Sequence, residues 1–581
     1  MSITRRAFSA VALAGVIGAA PRDDGDLKIA TLDSCRKVRA DFAFIDQPRP
    51  SVRLHAPRNS RETFQIVMQC GDPGPRYARL FAEFDSGASS RWFPTGSIEL
   101  FHVHRFEISE RSNAQGATGS WPDPLAPISA PVRVFSDAPV CVWVRIRIGS
   151  TTPVGTYAGA VSIDFGASNR RRVNFEIEVH SPTLPSDPTL PFLVGLDWDS
   201  LRRVEAPGDG GQAHLDQILP GYLETLSIAG ATPFNPFDRL PDLPANAGDL
   251  VAFDDIDRRI EAFRIGPGTP VAVPFSLAAP VDAQAQPLFS EAWRTKATQY
   301  LRAVADHYEK RGLLSRAFVY VAEADEPIRR GQIEQIVRFR DFLSQADPRL
   351  RFAQTIHARC VDCEADALRL LDAPSVLWTP NIAFYDGKAL AKIDGGIGVA
   401  PSGWPGAFDA AVRSSGREIW WYFNPATDIL PPRDQPAYPN LYIDHDAMAH
   451  RVIGWMAWDQ RISGYGHWMA TLWRAPADPW SGPPRGFSGH GPNGDGVLLY
   501  PASGAQEATG QPLSQRPATS IRLEMLRETG QDHKLLVLAE QRLGREAVQP
   551  FVRKLFRSLE QFSLDPGPMR EARLAILKGL S

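Results

Sequence analysis

The first part of the chain alternates apolar and polar residues with the period of two that is typical of β-strands. This pattern, or a dense run of β-branched residues, is found at 64–68, 140–148, 157–163 and 173–179. Turns that contain Pro and Gly separate these segments, and no helical period lies between them. Residues 27–182 are therefore predicted to form an N-terminal antiparallel β-sandwich.

A stiff linker is expected next, because residues 181–188 contain three prolines. Beyond it, helical periods at 215–228, 291–310 and 332–344 alternate with short apolar runs. These runs are the expected strands: 192–196, 232–234, 270–277, 317–321, 351–356, 375–378, 418–423 and 462–469. Such alternation over residues 190–545 predicts a catalytic (β/α)8 barrel of the TIM type, with a doubly wound sheet as the alternative. Helices at 520–543 and 547–562 are expected to finish the chain, so that 546–581 is a C-terminal helical segment.

Residues 1–20 have the pattern of a twin-arginine-type signal peptide. Arg5 and Arg6 precede Phe8 and the small apolar run 10–20, which is too short to span a bilayer. The pattern predicts export to the periplasm, with no stable membrane span once the signal is removed. An ordinary secretory signal and a short membrane anchor are the alternatives.

Composition narrows the class of partner. Hydrophobic residues make up 43% and charged residues 22%, and the net charge is −3, so nothing favours nucleic acid or an anionic membrane as a partner. Several of the 14 Trp lie late in the chain, where flat apolar faces would suit a sugar, although core packing explains them equally well. Cys360 and Cys363 have the spacing of a zinc or redox pair, but without a second pair a local disulfide or free thiols are favoured. No cofactor and no metal are expected, and the oligomeric state does not follow from the sequence.

Three carboxylates follow one buried strand. Glu323, Asp325 and Glu326 come directly after the apolar run 317–321, where a barrel places its reacting side chains. Glycoside hydrolysis needs an acid for the leaving oxygen and a second group that stabilises positive charge at the anomeric carbon. Neighbouring residues on a regular strand face opposite ways, so a bend at Pro327 is expected to bring Asp325 and Glu326 to one substrate. Taken alone, a solvated acidic loop explains this segment better.

Several segments, in the right order, resemble glycoside hydrolase family 123, whose known members are β-N-acetylgalactosaminidases, and the broader domain-of-unknown-function family 4091. The resemblance covers nearly the whole mature chain. It is carried by Trp-Pro-Asp-Pro and Pro-Val-Gly-Thr-Tyr in the predicted sandwich, by Ala-Glu-Ala-Asp-Glu-Pro after the buried strand, and by three later segments, at 121–127, 153–159, 322–327, 462–468, 493–501 and 520–527.

The resemblance implies a retaining, substrate-assisted hydrolase that releases N-acetylgalactosamine-type residues from a glycan or glycoconjugate. The 2-acetamido oxygen of the sugar would attack the anomeric carbon, so that no protein nucleophile is needed. Asp325 would orient the acetamido group, and Glu326 would act as general acid and then as general base. Glu323 is an additional acid that would replace either role or support the pair.

Other candidates for substrate contact are Trp421, Tyr422, Trp468 and Asn381, together with Glu323, because they lie at or just beyond expected strand ends. His357, Tyr385 and Asn424 are similarly placed, and Asp495 stands in Asn-Gly-Asp-Gly, a sequence typical of a tight turn. Two rival functions stay open. One is hydrolysis of another glycoside with Glu323 or Asp444 as nucleophile, and the other is non-catalytic carbohydrate binding in the periplasm.

Overall fold

The computed structural model describes residues 27–581 except for short segments, which are 45–49, 72–75, 86–90, 167–168, 209–210, 238–248, 264, 266–267, 278–286, 328–329, 358–364, 388, 394–395, 401–403, 405, 424–437, 488, 513 and 515. The expected signal peptide, Cys360, Cys363 and Asn424 therefore lie outside the described residues. Cys35, Cys70 and Cys141 are buried free thiols. No helix in the described part of the chain is long and apolar enough to cross a bilayer.

Ten strands form two sheets, here called the N-terminal sheets. They are β1 Leu27–Asp33, β2 Ser51–Arg58, β3 Ser60–Cys70, β4 Arg76–Phe84, β5 Ile98–Ile108, β6 Gly119–Pro127, β7 Val132–Val134, β8 Val140–Ile148, β9 Gly155–Asp164 and β10 Arg170–Thr183. One sheet has the order β1-β3-β8-β5-β6 and the other the order β2-β10-β9-β4-β7. Along β10, the alternation expected from the sequence buries Val173, Phe175 and Ile177 in a core that both sheets share. The pairing is antiparallel except between β2 and β10, which run parallel, so the predicted all-antiparallel arrangement is corrected at that one edge.

The following part of the chain alternates strands and helices, as expected. Its strands are β11 Phe192–Val194, β12 Ala231–Pro233, β13 Val271–Ala272, β14 Ala317–Val319, β15 Arg351–Ile356, β16 Val376–Pro380, β17 Ala389–Ile393, β18 Gly396–Ala400, β19 Trp421–Phe423, β20 Tyr465–His467 and β21 Thr519–Ser520. Its helices are α1 Trp198–Glu205, α2 Gly211–Ile228, α3 Asp254–Ala262, α4 Glu291–Lys310, α5 Arg330–Ala346, α6 Ala365–Leu371, α7 Ile382–Tyr385, α8 Gly406–Ser414, α9 Ala447–Arg451, α10 Ile453–Asp459, α11 Ala505–Thr509 and α12 Ile521–Leu543.

The parallel strands follow one another around two four-stranded sheets, β12-β11-β20-β19 and β13-β14-β15-β16. Two parallel bridges, Trp378 with Ile419 and Asn381 with Tyr422, join the ends of these sheets. Side chains from six places along them meet in one interior cluster: Leu193, Ala272, Phe318, Ala353, Leu377 and Trp420. Within the described residues no ladder pairs β12 with β13, so closure into the expected barrel stays a prediction.

The end of the chain differs from the expectation. The helix predicted over 547–562 is α13 Arg545–Val552, and it is followed by a small hairpin of β22 Phe556–Ser558 and β23 Gln561–Phe562. Leu555 and Leu559 have helical spacing, but they are buried from the hairpin instead. The chain then finishes in α14 Gly567–Leu580, a helix that the sequence analysis did not single out.

A fully buried ion pair ties the two parts of the molecule together. Arg522, at the start of α12, pairs with Asp123 of β6 at 2.8 Å, and neither side chain is exposed. The remaining donors of Arg522 reach the carbonyls of Leu441 and Gly494, at 3.0 and 2.7 Å. The Tyr500 hydroxyl donates to Asp123 at 2.6 Å. Every strong donor of this arginine therefore has an acceptor, as a buried charge requires.

Removing one partner of this pair should destabilise the fold strongly. We expect Arg522→Met to lower the free energy of unfolding by about 3–5 kcal/mol, because Asp123 would be left buried without its countercharge. Adding Asp123→Leu should recover part of that loss. Arg172→Met is the matched control, since its pair with Asp85 is half exposed and should contribute less than about 1 kcal/mol. Denaturant unfolding measures all three, and equal losses in Arg522→Met and the control would contradict the prediction.

Candidate active site

One cavity of about 670 Å³ lies where the parallel strands end, a size in the range of small-ligand sites. Alternation along the strands decides which side chains face it. Phe318 and Tyr320 line the cavity from β14 and its extension, and Trp420 and Tyr422 line it from β19, while the residues between them point into the outer core. The remaining lining residues are Leu193, Phe234, Ala322, Asp325, Glu326, Ala353, Thr355, His357, Thr379, Gly466, His467, Trp468, Phe487 and Asp495.

Asp325 and Glu326 both face the cavity because the backbone turns at Glu326. After β14 the chain makes a short 3-10 turn at 322–324, and Glu326 then has a φ of 42°. A residue other than Gly adopts this left-handed conformation only at a cost in free energy. The expected bend is thus present, but it lies in Glu326 itself and not only at Pro327.

Thr355 of β15 fastens the pair. Its hydroxyl donates to Oδ1 of Asp325 and accepts the backbone N–H of Glu326 at 3.1 Å. The Tyr320 hydroxyl donates to Oδ2 of Asp325 at 2.7 Å. Each carboxylate oxygen of Asp325 therefore has its own donor, which fixes the plane of the carboxylate.

Burial and the neighbouring carboxylate of Glu326 raise the pKa of Asp325 to about 6, against the opposing effect of the Thr355 and Tyr320 hydrogen bonds. Asp325 is accordingly ionised at neutral pH and takes up a proton in mildly acidic solution. The same pair of carboxylates, after burial, raises the pKa of Tyr422 well above its usual value, so this phenol keeps its proton.

A polar atom on the cavity wall lacks a hydrogen-bond partner among the described residues. It is Nε2 of the buried His467, whereas the hydroxyl of Tyr422 lies beside the carboxyl group of Glu326. Nδ1 of His467 faces the carbonyl of Phe423 at 3.4 Å, and burial lowers the pKa of this imidazole to about 3. The neutral ring that donates through Nδ1 has a free acceptor at Nε2. Since buried polar groups are normally satisfied, this atom marks a contact for a polar ligand.

A third carboxyl group closes the other side of the cavity. Asp495 accepts a hydrogen bond from Nε1 of Trp468 at 2.7 Å, and burial raises its pKa to about 7. Both flanking glycines, Gly494 and Gly496, have positive φ, and a Cβ on either would collide with Arg522 or Leu472. The Asn-Gly-Asp-Gly segment is a tight turn, as expected, and it also carries a cavity-lining acid.

The structure brings together six of the residues singled out in the sequence, which are Asp325, Glu326, His357, Tyr422, Trp468 and Asp495. Trp421 and Asn381 are not among the residues that line the cavity in the described part of the chain. Trp421 points to the opposite side of β19 and packs on Tyr385, and Asn381 caps α7 by accepting from the backbone of Ala383. The side chain of Glu323 lies outside the described residues.

Further lining residues were not chosen by sequence reasoning: Tyr320, Thr355, Trp420, His467 and Phe487. A signal existed for the first and the third, because strand alternation places Tyr320 with Phe318, and Trp420 with Tyr422, on one face. Thr355, His467 and Phe487 carry no pattern of their own. Asp444, the other candidate nucleophile, is buried against the N-terminal sheets and accepts from the backbone N–H and hydroxyl of Ser112.

Comparison with known proteins identifies the class. The structure is similar to a family 123 glycoside hydrolase from Clostridium perfringens, with a TM-score of 0.62 and 13% identity over 95% of this chain and 98% of that one. Residues 280–539 match the glycoside hydrolase 123 catalytic domain. The protein is therefore a glycoside hydrolase, as the sequence predicted. Its 280–539 segment, which contains Asp325, Glu326 and Asp495, belongs to family 123.

Weaker similarities extend to other glycosidases. A family 39 glycoside hydrolase from Bacteroides cellulosilyticus has a TM-score of 0.35 and 12% identity over 75% of this chain and 78% of that one. A family 5 xyloglucanase from Bacteroides ovatus has a TM-score of 0.27 and 11% identity over 83% of this chain and 98% of that one. No curated protein sequence matches the chain.

The raised pKa of Asp325 makes a prediction about stability. Its pKa is about 6 in the folded protein against an ordinary value of 3.8, so folding favours the protonated form. The resulting stabilisation is present below about pH 4 and is lost as the pH rises through 6. We expect Asp325→Asn to raise the free energy of unfolding at pH 8 by on the order of 2 kcal/mol, and by clearly less at pH 5. Denaturant unfolding at both values tests this.

Glu546→Gln is the control for that measurement, because Glu546 is an exposed carboxyl on α13. It should change stability little at either pH. A difference between Asp325→Asn and the unsubstituted protein that stays constant from pH 5 to pH 8 would show that the pKa of Asp325 is not raised by folding.

Proposed function

We propose that the protein is a retaining, substrate-assisted hydrolase that releases N-acetylgalactosamine-type residues from the glycans of glycoconjugates. The observation that carries the proposal is the position of Asp325 and Glu326, adjacent in sequence and facing one cavity, with both oxygens of Asp325 held by hydroxyl donors. The similar Clostridium perfringens enzyme is described for glycolipid glycan hydrolysis, which supports a glycan substrate.

In this mechanism Asp325 serves the acetamido group. Its fixed carboxylate, ionised near neutral pH, accepts the acetamido N–H and turns the acetamido oxygen toward the anomeric carbon. As that oxygen attacks, positive charge spreads over the five-membered oxazoline ring, and a preorganised anion beside it lowers the barrier. Tyr320 and Thr355 are positioning residues, because they hold the carboxylate and do not themselves reach the sugar in this scheme.

Glu326 serves the glycosidic oxygen. It protonates the leaving group and then removes a proton from the water that opens the oxazoline. Two adjacent carboxyl groups share one proton more readily than they carry two charges, and in this proposal the proton is on Glu326 and the charge on Asp325 when the sugar binds. The left-handed backbone at Glu326 directs its side chain to the same cavity as Asp325.

The rest of the cavity fits a sugar ring. Trp468 and Phe487, whose rings are in contact, offer apolar faces of the kind on which pyranose rings pack, and Phe487 is largely exposed at the rim. Nε2 of His467 accepts from a hydroxyl, and protonated Asp495 donates to one. Asp495, whose pKa is raised to about 7, is largely protonated only below neutral pH, and its Oδ1 already accepts from Trp468, so it is assigned to binding.

The alternative, a protein nucleophile acting on another glycoside, now rests on Glu323, since Asp444 is held by Ser112. Two structural expectations belong to the proposal as well. The eight parallel strands close into a (β/α)8 barrel over residues 190–545, and residues 1–20 direct export to the periplasm through a twin-arginine-type signal.

The acid role of Glu326 predicts a dependence on the leaving group. We expect Glu326→Gln to abolish turnover of glycosides with poor leaving groups and to affect activated aryl glycosides much less, because their departure needs little protonation. Rates on a series of aryl glycosides of increasing leaving-group pKa measure the effect. Equal loss across the series, in a variant with unchanged melting, would remove Glu326 from the acid role.

The role of Asp325 predicts a requirement for the acetamido group. Asp325→Asn should slow hydrolysis of a 2-acetamido aryl glycoside by about a hundredfold to a thousandfold, the usual loss when one preorganised charge is removed from a transition state. Matched 2-hydroxy substrates should be nearly inert with the unsubstituted enzyme. A thiazoline analogue of N-acetylgalactosamine should inhibit far better than galactose. Asp341→Asn, an exposed carboxyl on α5, is the control.

Trapping distinguishes this proposal from its rival. A 2-fluoro glycoside that forms a covalent adduct with the enzyme, located by peptide mass spectrometry, would contradict substrate assistance. Glu323 would then be the first residue to replace.

A further inference from the structure

A second cluster of titratable groups lies far from the cavity, on the outer face of the N-terminal sheets. His55 of β2 and Glu178 of β10 are register partners in the parallel pair, and His180 follows two residues later on β10. Residues two apart on a strand share a face, so all three side chains project from one side of the sheet. α14 packs on this part of both strands, and the hydroxyl of Ser181 reaches the carbonyl of Leu580 at 3.5 Å.

The ligand atoms of the three side chains converge. Nδ1 of His55 lies 3.3 Å from Nε2 of His180 and 3.3 Å from Oε2 of Glu178. Nε2 of His180 lies 3.9 Å from Oε1 of Glu178. Zinc binds imidazole nitrogen and carboxylate oxygen at roughly 2.0–2.2 Å in a tetrahedron, so ligand atoms around one zinc ion are separated by roughly 3.3 Å. Nδ1 of His55 lies at that separation from both of its partners, and Nε2 of His180 lies 3.9 Å from the other oxygen of Glu178, so a rotation of the carboxylate would complete one face of the tetrahedron.

The tautomers of the two rings decide whether this arrangement can bind a cation. The carboxylate of Glu178 only accepts, and a neutral imidazole has a proton on one nitrogen only. Nδ1 of His55 stands at equal distances from a carboxylate oxygen and from a second ring nitrogen. When each ring carries its proton on the nitrogen that faces away from the cluster, Nδ1 of His55, Nε2 of His180 and the carboxylate of Glu178 present three lone pairs to one place. A cation there would satisfy all three.

The surrounding charges permit a cation. Arg573 is engaged by Glu62 and by Asp532, at 2.8 Å in each case, and Arg53 faces Glu176 at 3.6 Å. Glu178 adds a negative charge to the cluster itself. The side chain of Glu178 is 35% exposed whereas that of His180 is 6% exposed, so the site opens to solvent on the carboxylate side, where an ion and its remaining water ligand can arrive.

We propose that His55, Glu178 and His180 form a binding site for one divalent transition-metal ion of the zinc type, with water as the fourth ligand. None of the three lines the cavity, so the ion has a structural role. It would fasten β2 to β10, the one parallel pair of the N-terminal sheets, beneath α14. The proposal is independent of the sugar substrate and of the mechanism proposed above.

The test uses the exported form of the protein, treated with a chelator and titrated with Zn²⁺ by calorimetry, and with Co²⁺ followed by visible absorption. We expect one equivalent to bind, the melting temperature to rise with Zn²⁺ as binding to the folded state requires, and Co²⁺ to give the intense visible bands of a tetrahedral site. His55→Gln and Glu178→Gln should each weaken Zn²⁺ binding by about a hundredfold, since each removes one of three protein ligands. Turnover of an aryl glycoside at 25 °C should not change on chelation.

Two controls make the outcome decisive. His214→Gln removes an exposed histidine of α2 and should leave the titration unchanged. Cys360→Ser with Cys363→Ser removes the other pair with zinc-like spacing, and Zn²⁺ binding should persist in that variant. Absence of binding in the unsubstituted protein, its loss in the cysteine variant, or its persistence in both His55→Gln and Glu178→Gln would each overturn the proposal. Circular dichroism shows that each variant is folded before it is titrated.

Discussion

The buried ion pair of Arg522 and Asp123 connects the N-terminal sheets to the part of the chain that carries the cavity. Asp123 belongs to the N-terminal sheets, and Arg522 opens the long helix α12 that packs beneath them. The same guanidinium holds the carbonyl of Gly494, which is one residue from Asp495 in the cavity wall. A strand in one part of the protein thus sets the position of an acid in the other. Burial of both charges is tolerable only because every donor of Arg522 has an acceptor.

Helix α12 repeats this principle along its length. Glu524, Glu528 and Asp532 stand four residues apart on one face, and each is buried against an arginine from another element: Arg145 of β8, Arg451 of α9 and Arg573 of α14. A charged stripe at helical spacing ordinarily indicates a solvated face, but here it is an interior seam. The helix predicted over 520–543 is α12, at 521–543. Its charged face is buried, whereas its polarity alone would indicate a face exposed to solvent.

Sequence reasoning succeeded where one strand or helix decides the outcome. The alternation of β8 and β10 and the periods of α4 and α12 depend on local residues, and the acidic pair follows directly from the strand before it. Sequence reasoning failed where contacts between segments far apart in the chain decide which side chains meet. Trp421 was chosen together with Tyr422, although alternation places Trp420 and not Trp421 on the face of Tyr422, and the sequence does not show which face lines the cavity. Thr355 and His467 act through neighbours far along the chain, and His55 lies 125 residues from His180. The apolar residues after α13 have the spacing of a helix, but tertiary packing makes this segment a hairpin.

The proline-rich segment at 181–188 has a consequence for how such a chain can be recombined. Judged from the sequence alone, this segment is the natural boundary between two domains. Recombination there would separate the N-terminal sheets from the strands and helices that follow. The interactions across this segment are not those between independent domains. Ion pairs with residues of the N-terminal sheets are formed by four residues of the later part of the chain: Arg522, Glu524, Arg570 and Arg573. A chimaera made at that point would inherit three buried charges and one partly buried charge that face foreign surfaces. The N-terminal sheets and the part that follows them therefore have to be exchanged together. A segment that can be transferred alone to another protein must be sought elsewhere in the chain.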